Sequence, residues 1–226
     1  MISGIYEAID GSIIQRFRFN TVANNLANIN TKAFKKEIVS FDEALTMKYF
    51  STTDLTPGPV RYTGNELDVA LGDQGFFKIQ TPKGIRYTRD GSFSLNADQM
   101  LVTQNGDIVL GKNGPIEING NNVSIKTSGE VLVDNKPVNN IAIMNFKNLQ
   151  LLRKEGNSLY TYQGNETDIF TAENINVKQN HIESSNVNST EEMVNMLDSL
   201  RAFEAVQKAI QSIDEITDKI VNDMTQ

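Results

Sequence analysis

The chain contains no cysteine, a single histidine and no apolar run long enough to cross a bilayer. Without cysteine, disulfides and thiolate metal sites are excluded. The histidine, His181, stands among polar residues in "VKQNHIESSN" and reads as an ordinary solvated side chain. No HExxH, no GxSxG and no phosphate-cradling glycine loop occurs. Carboxylates are plentiful, yet no spacing selects a pair for acid–base work. An enzyme therefore lacks its machinery here, and no cofactor or metal is expected. Excess positive charge is absent too: the formal net charge is −7, which argues against a nucleic-acid binder or a basic membrane-surface protein. The opening "MISGIYEAIDGSIIQRFRFN" has no basic leader, no uninterrupted apolar stretch and no small-residue cleavage site, so no cleaved secretory signal is expected.

What is present falls into three textures. From Ile2 to about Asn30, Ile2, Ile5, Ile9, Ile13, Phe17, Val22, Leu26 and Ile29 recur mostly three or four apart, which predicts a helix of about 40 Å. From Ser189 to Met224 the pattern is stronger. Ser189 and Glu192 read as a capping box, and Val194, Leu197, Leu200, Phe203, Val206, Ile210, Ile213, Ile220 and Met224 make one stripe, with Thr217 at matching spacing. Gly and Pro are absent from that stretch, and its length predicts a helix of about 50 Å.

Between them, from about Leu67 to Asn176, glycines and asparagines punctuate short apolar alternations. "GFFKIQTPKGIRYT" predicts two strands around Pro82-Lys83-Gly84. Asp90-Gly91, Asn105-Gly106 and Asn119-Gly120 predict tight turns, because such dipeptides supply the positive φ that hairpins require. The expected class is α+β: long N- and C-terminal helices packed as a coiled coil, or as the tube domain implied by the family resemblance described below, with an inserted all-β domain. The expected parts are a helical domain made of residues 1–40 and 181–226, a connecting segment 41–66, and a β-rich outer domain 67–180.

Charge supports a meeting of the ends. Residues 1–40 hold five basic and three acidic side chains, whereas residues 181–226 hold three basic and nine acidic ones. Opposite-sign flanks on two narrow apolar stripes fit helix–helix contact, and a hairpin carrying one β-domain would leave much stripe exposed. Contacts between subunits are therefore expected.

Three blocks carry a resemblance. "NTVANNLANINTKAFKK", "TPGPVRYTGNELDVALGDQGFFKIQTPKGIRYTRDGSFSL" and "IESSNVNSTEEMVNMLDSLRAFEAVQKAIQSIDEI" are similar, in that order, to blocks of the axial rod and hook proteins of the bacterial flagellar basal body. The resemblance implies export through the flagellum's type III apparatus and helical polymerisation. The implied product is a torque-transmitting periplasmic rod whose partners are copies of the chain, other axial rod proteins and the surrounding ring proteins. The chain is too short for a typical hook protein. Its compact middle points to the proximal rod member, with the distal one second. A secreted β-rich adhesin or glycan-binding module is the alternative of another class, but it would not need two long opposed helices.

The resemblance also supplies subunit-packing positions: Asn24, Asn25, Leu26, Asn28 and Phe34 near the first helix, Asn186 and Val187 before the second. On the second helix they are Val194, Leu197, Leu200, Arg201, Phe203, Glu204, Ile210 and Ile213. Asn amides donate and accept together, so the asparagine turn is expected to satisfy groups at a junction or to cap its own helix. Ala33 stands where the family usually has Gly, which predicts a different local bend.

Overall fold

The computed structural model describes residues 2–42, 48–172 and 175–224, with the side chains of residues 2–8, 41–42, 48–50, 214, 217, 218 and 220–224 outside the description. The stripe positions Ile2, Ile5, Thr217, Ile220 and Met224 thus lie outside the described side chains. The chain forms two compact units. A helical unit gathers Met1–Asn28, Glu37–Thr52 and Val187–Gln226; a β unit gathers Ile29–Lys36 and Thr53–Asn186.

In the helical unit, α1 runs from Ile2 to Ala27 and α2 from Ser189 to Met224, beside a two-stranded hairpin of Glu37–Asp42 and Lys48–Thr53. The capping-box reading of α2 is off by one residue. Asn188 is the cap: its Oδ1 accepts the N–H groups of Thr190 (3.1 Å) and Glu191 (3.4 Å). Glu192 is thereby free to turn inward, where it is buried.

The β unit is built on a ten-stranded sheet. Phe76–Thr81 lies at its centre, paired with Gly84–Thr88, Ile108–Gly111 and Ile143–Phe146. A three-stranded sheet runs from Val123 to Asn140. Two separate pairs bring chain ends together: Val69–Leu71 with Val177–Gln179, and Val60–Tyr62 with His181–Glu183. Alternation of side chains puts Phe77, Ile79, Phe93, Leu101, Val109, Ile116, Ile141 and Ile143 into one dry core. Phe76, Tyr87, Phe146, Leu152 and Tyr160 form a second, in which Phe76 meets Phe146 and Tyr160 edge-on at 5.6 and 5.5 Å.

The expected fold class requires correction. Among the described residues there are two α-helices against nineteen strands, and the strand pairings are antiparallel. The described residues are mostly β, and the two helices among them do not form a coiled-coil or tube domain. The physical reason lies in α2, whose inward face near its start carries Glu192 and Ser199 while the apolar Val194, Leu197 and Leu200 stay exposed. An apolar a/d seam between the two helices is therefore missing over the first turns of α2, where Val194, Leu197 and Leu200 were expected to form it.

Two predicted turns are also different. Asn105-Gly106 does make a hairpin, with Gly106 at φ +86°, and Pro82-Lys83 links its two strands. Asp90-Gly91 joins strands that do not pair with each other. Gly91 is needed because the Val69 carbonyl oxygen would lie 1.7 Å from an added Cβ, and Val69 N–H donates to the Gly91 carbonyl at 2.9 Å. Asn119-Gly120 is no hairpin either, since the strands that flank it, Gly114–Pro115 and Val123–Ile125, belong to different sheets. The mirror-image turns sit instead at Asp134-Asn135 (φ +49° and +64°) and Asn157-Ser158 (φ +49° and +56°).

Candidate functional site

The outward face of α2 is the most unusual surface of the helical unit. Met193, Val194, Leu197 and Leu200 are exposed by 53, 52, 54 and 42 %. Spacings of one, three and three residues put these four side chains on neighbouring rows of one helix face. Arg201 and Glu204 are exposed beside them. Phe203, Ile210 and Ile213 are half-buried, on the side shared with Val206, whose Cγ2 lies 4.0 Å from where a Gly11 Cβ would stand. The predicted stripe is therefore split. Phe203, Val206, Ile210 and Ile213 turn inward, and its first three members face out.

The asparagine turn resolves into three different roles. Asn25 is 1 % exposed: its Nδ2 donates to the Glu37 carbonyl and its Oδ1 accepts the Glu37 N–H, both at 2.9 Å. The side-chain amide thus imitates one rung of a β-ladder. The same Nδ2 donates to Glu192 Oε2 at 3.2 Å, so one residue ties α1, the hairpin strand and α2. Asn28 closes the helix locally, donating from its backbone to the carbonyls of Asn24 and Asn25 and from Nδ2 to Asn24 (2.9 Å). Asn24 is exposed, and Leu26 is half-buried. Val187 is buried at the approach to α2.

In the β unit, residues 32–36 lie in a fitted groove. Ala33 N–H donates to the Glu183 carbonyl (2.9 Å), Asn186 N–H to the Phe34 carbonyl (3.2 Å), and Lys36 N–H to Asn186 Oδ1 (2.7 Å). Asn186 Nδ2 reaches the carbonyls of Asp54 and Thr56 at 3.0 and 3.2 Å. Ser158 Oγ donates to the Lys32 carbonyl at 3.1 Å. The Lys154 ammonium sits 3.7 Å over the buried Phe34 ring and donates to the Lys35 carbonyl. Ala33 takes φ +52° and is fully buried, so a left-handed bend forms here with alanine.

Beneath this segment lies an ionic cluster that sequence reasoning missed. Lys35 Nζ donates to Glu183 Oε1 and to the Thr56 carbonyl (2.6 Å). Gly58 N–H donates to the same Oε1 at 2.8 Å, while Arg89 Nε and Nη2 both reach Glu183 Oε2 at 2.7 Å. Arg89 also donates to the carbonyls of Asp73, Gly75 and Leu71. Lys35, Glu183 and Arg89 are at most 2 % exposed. Burial holds the Lys35 pKa below the usual lysine value, against the attraction of Glu183 and with the repulsion of Arg89. Only the placement of Lys35 inside the "NTKAFKK" block hinted at this cluster, because its members are far apart in the chain.

His181 is half-buried, its Nδ1 2.7 Å from the Gln179 carbonyl and its ring edge-on to Tyr62. No group of His, Asp and Glu suited to a metal ion occurs among the described residues. Among the described residues, no helix is long and apolar enough to cross a membrane.

Three family models match the chain. Residues 5–35 match the flagella basal body rod protein, residues 70–133 the flagellar hook protein FlgE/F/G D1 domain, and residues 178–224 the flagellar basal body rod FlgEFG protein C-terminal region. Among similar proteins, the flagellar basal-body rod protein FlgG of Buchnera aphidicola subsp. Baizongia pistaciae is 32 % identical, with 97 % of this chain and 99 % of the relative covered. FlgF of Caulobacter vibrioides is 30 % identical over 96 % of both chains. FlgG of Bacillus subtilis is 30 % identical over 98 % of this chain and 99 % of the relative. The chain belongs to the flagellar basal-body rod proteins, as a structural subunit of the bacterial flagellar basal body rather than an enzyme.

Proposed function

We propose that the chain polymerises helically, with copies of itself and with other axial rod proteins, into the periplasmic shaft that carries torque through the basal body. The observation that carries this reading is the outward row Met193, Val194, Leu197 and Leu200 on α2. Exposed apolar side chains scattered singly need no explanation, but four on adjacent rows of one helix face are a docking surface. Completing the burial of each contributes on the order of 1 kcal/mol, and the contribution repeats at every subunit. Asn24, Leu26, Arg201 and Glu204 border that polymer contact. Phe203, Ile210 and Ile213 act beneath it by holding α2 in place, and Asn25, Asn28, Phe34, Asn186 and Val187 act by fixing the segments around the helix ends.

On the same reading the chain is exported through the flagellar type III apparatus without a cleaved signal, and the surrounding ring proteins enclose the assembled shaft. The short connection between "AFKKEIVSF" and "TPGPVRYTG" and the compact middle support the proximal rod position, with a distal rod or hook-like axial position second. The test is a Leu200→Asp variant expressed as the only copy in a motile cell. A buried, unpaired carboxylate costs far more than a lost methyl contact, so swimming and rod assembly are expected to fail while purified protein keeps its circular dichroism. Normal swimming would remove α2's outer face from the contact.

A further inference from the structure

We propose that residues 32–36 form a releasable strap, locked into its groove on the β unit by the Lys35 ammonium, and that this strap opens without unfolding the β core. The asymmetry of the ionic cluster supplies the argument. Glu183 faces two cations, and they are not equivalent. Arg89 is held independently by the carbonyls of Leu71, Asp73 and Gly75, and it covers one carboxylate oxygen with two donors. The other oxygen keeps the Gly58 N–H when Lys35 is gone. Removing Lys35 therefore leaves a neutral, hydrogen-bonded Arg89–Glu183 pair; removing Arg89 would also leave a neutral pair but would strip the donors from the carbonyls of Leu71, Asp73 and Gly75, and removing Glu183 would leave two uncompensated buried cations. Lys35 is the surplus cation, and its burial is opposed by Arg89 and offset by Glu183 and the nearby Asp54.

The strap itself is built for separation. It is held to the β unit by hydrogen bonds along its backbone and by Lys154 over Phe34, a lattice made by side chains and loops at its rim. None of its residues belongs to the apolar core that holds the sheets. Ala33 is kept in a left-handed conformation only while the strap is seated, so opening also relieves that strain. By contrast, Gly58 is packed so that an added Cβ would meet the Ser184 carbonyl at 2.1 Å, which fixes the wall of the groove independently of the strap.

Native-state hydrogen exchange on the full chain tests this. The reporters are the Ala33 and Lys36 amides in the strap and the Lys78 and Ala142 amides in the core, each with a protein acceptor. In the unmodified protein the two strap amides should exchange at least tenfold faster than the two core amides. Lys35→Met should accelerate the strap amides a further tenfold or more, with the core amides changed by less than twofold. Lys35→Arg, which keeps the charge, should restore part of the protection. Strap and core amides exchanging at one common rate would overturn the proposal, as would equal acceleration of both by Lys35→Met.

Discussion

The side-chain amide of Asn25 pairs with both backbone polar groups of Glu37, donating to the carbonyl and accepting from the N–H at 2.9 Å each, so that the end of a helix holds the beginning of a strand by the geometry of a sheet. Glu192 closes the arrangement from α2. Asn25 and Glu192 are buried, and Glu37 is half-buried. Asn25→Ala should therefore destabilise the helical unit by about 2 kcal/mol, because Glu37 N–H and the Glu192 carboxylate lose their partner in a dry place. Asn25→Asp should be worse, since it sets a second carboxylate against Glu192 and an acceptor against the Glu37 carbonyl. Urea denaturation followed by far-ultraviolet circular dichroism gives the ranking; an unaffected Asn25→Ala would show that water reaches these groups.

Ala33 adopts φ +52° with its side chain fully buried. An L-residue in that conformation carries a cost of about 1–2 kcal/mol, partly balanced by the greater unfolded-state freedom of glycine. Ala33→Gly should stabilise the β unit by up to about 1 kcal/mol. A thermal melt that moves downward would mean that the methyl contacts in the groove outweigh the backbone strain.

Two glycines should respond differently to alanine. Gly91 has the Val69 carbonyl oxygen in the place of its Cβ, so Gly91→Ala must displace backbone and should cost about 3 kcal/mol, the upper end of overpacking. Gly106 has nothing within 4 Å, and only its φ of +86° resists substitution. Gly106→Ala should cost about 1 kcal/mol. Equal costs in denaturation would contradict the reading of Gly91 as a packing glycine.

Helix spans were legible in the sequence because apolar spacing alone sets them, and the Asn105-Gly106 hairpin because its dipeptide demands positive φ. The packing of those helices was not legible. Spacing tells which residues share a face, but Glu192 is buried on α2 against Asn25, a partner far away in the chain that no periodicity reveals. The Asp90-Gly91 turn failed because glycine also serves close backbone approach, which a local reading cannot distinguish from a turn. The Lys35–Glu183–Arg89 cluster was invisible for a simpler reason: three charged residues, each ordinary in its own neighbourhood, meet only after the strands have paired.

Alkaline stability of the β unit should carry two opposed contributions. Burial lowers the Lys35 pKa in the folded state, so the unfolded chain binds more protons in the interval below the ordinary lysine value and stability rises with pH there. This contribution is lost as pH falls through the lowered value. Tyr87 behaves oppositely: burial, and then Glu166, raise its pKa, so its contribution is present below the ordinary tyrosine value and is lost as pH rises through the folded one. The stability of the unmodified protein relative to Lys35→Met should increase toward alkaline pH, and Tyr87→Phe should flatten the fall at the highest pH. A pH-independent difference for Lys35→Met would contradict the assignment.

The outward row of α2 can be tested directly because the chain has no native cysteine. Leu197→Cys gives a single thiol at a position 54 % exposed in the isolated chain. Maleimide labelling of that thiol should be fast in purified monomer and slowed at least tenfold in isolated basal bodies assembled from the same variant, since the account places Leu197 in the contact between subunits. Equal labelling in monomer and assembled rod would contradict it.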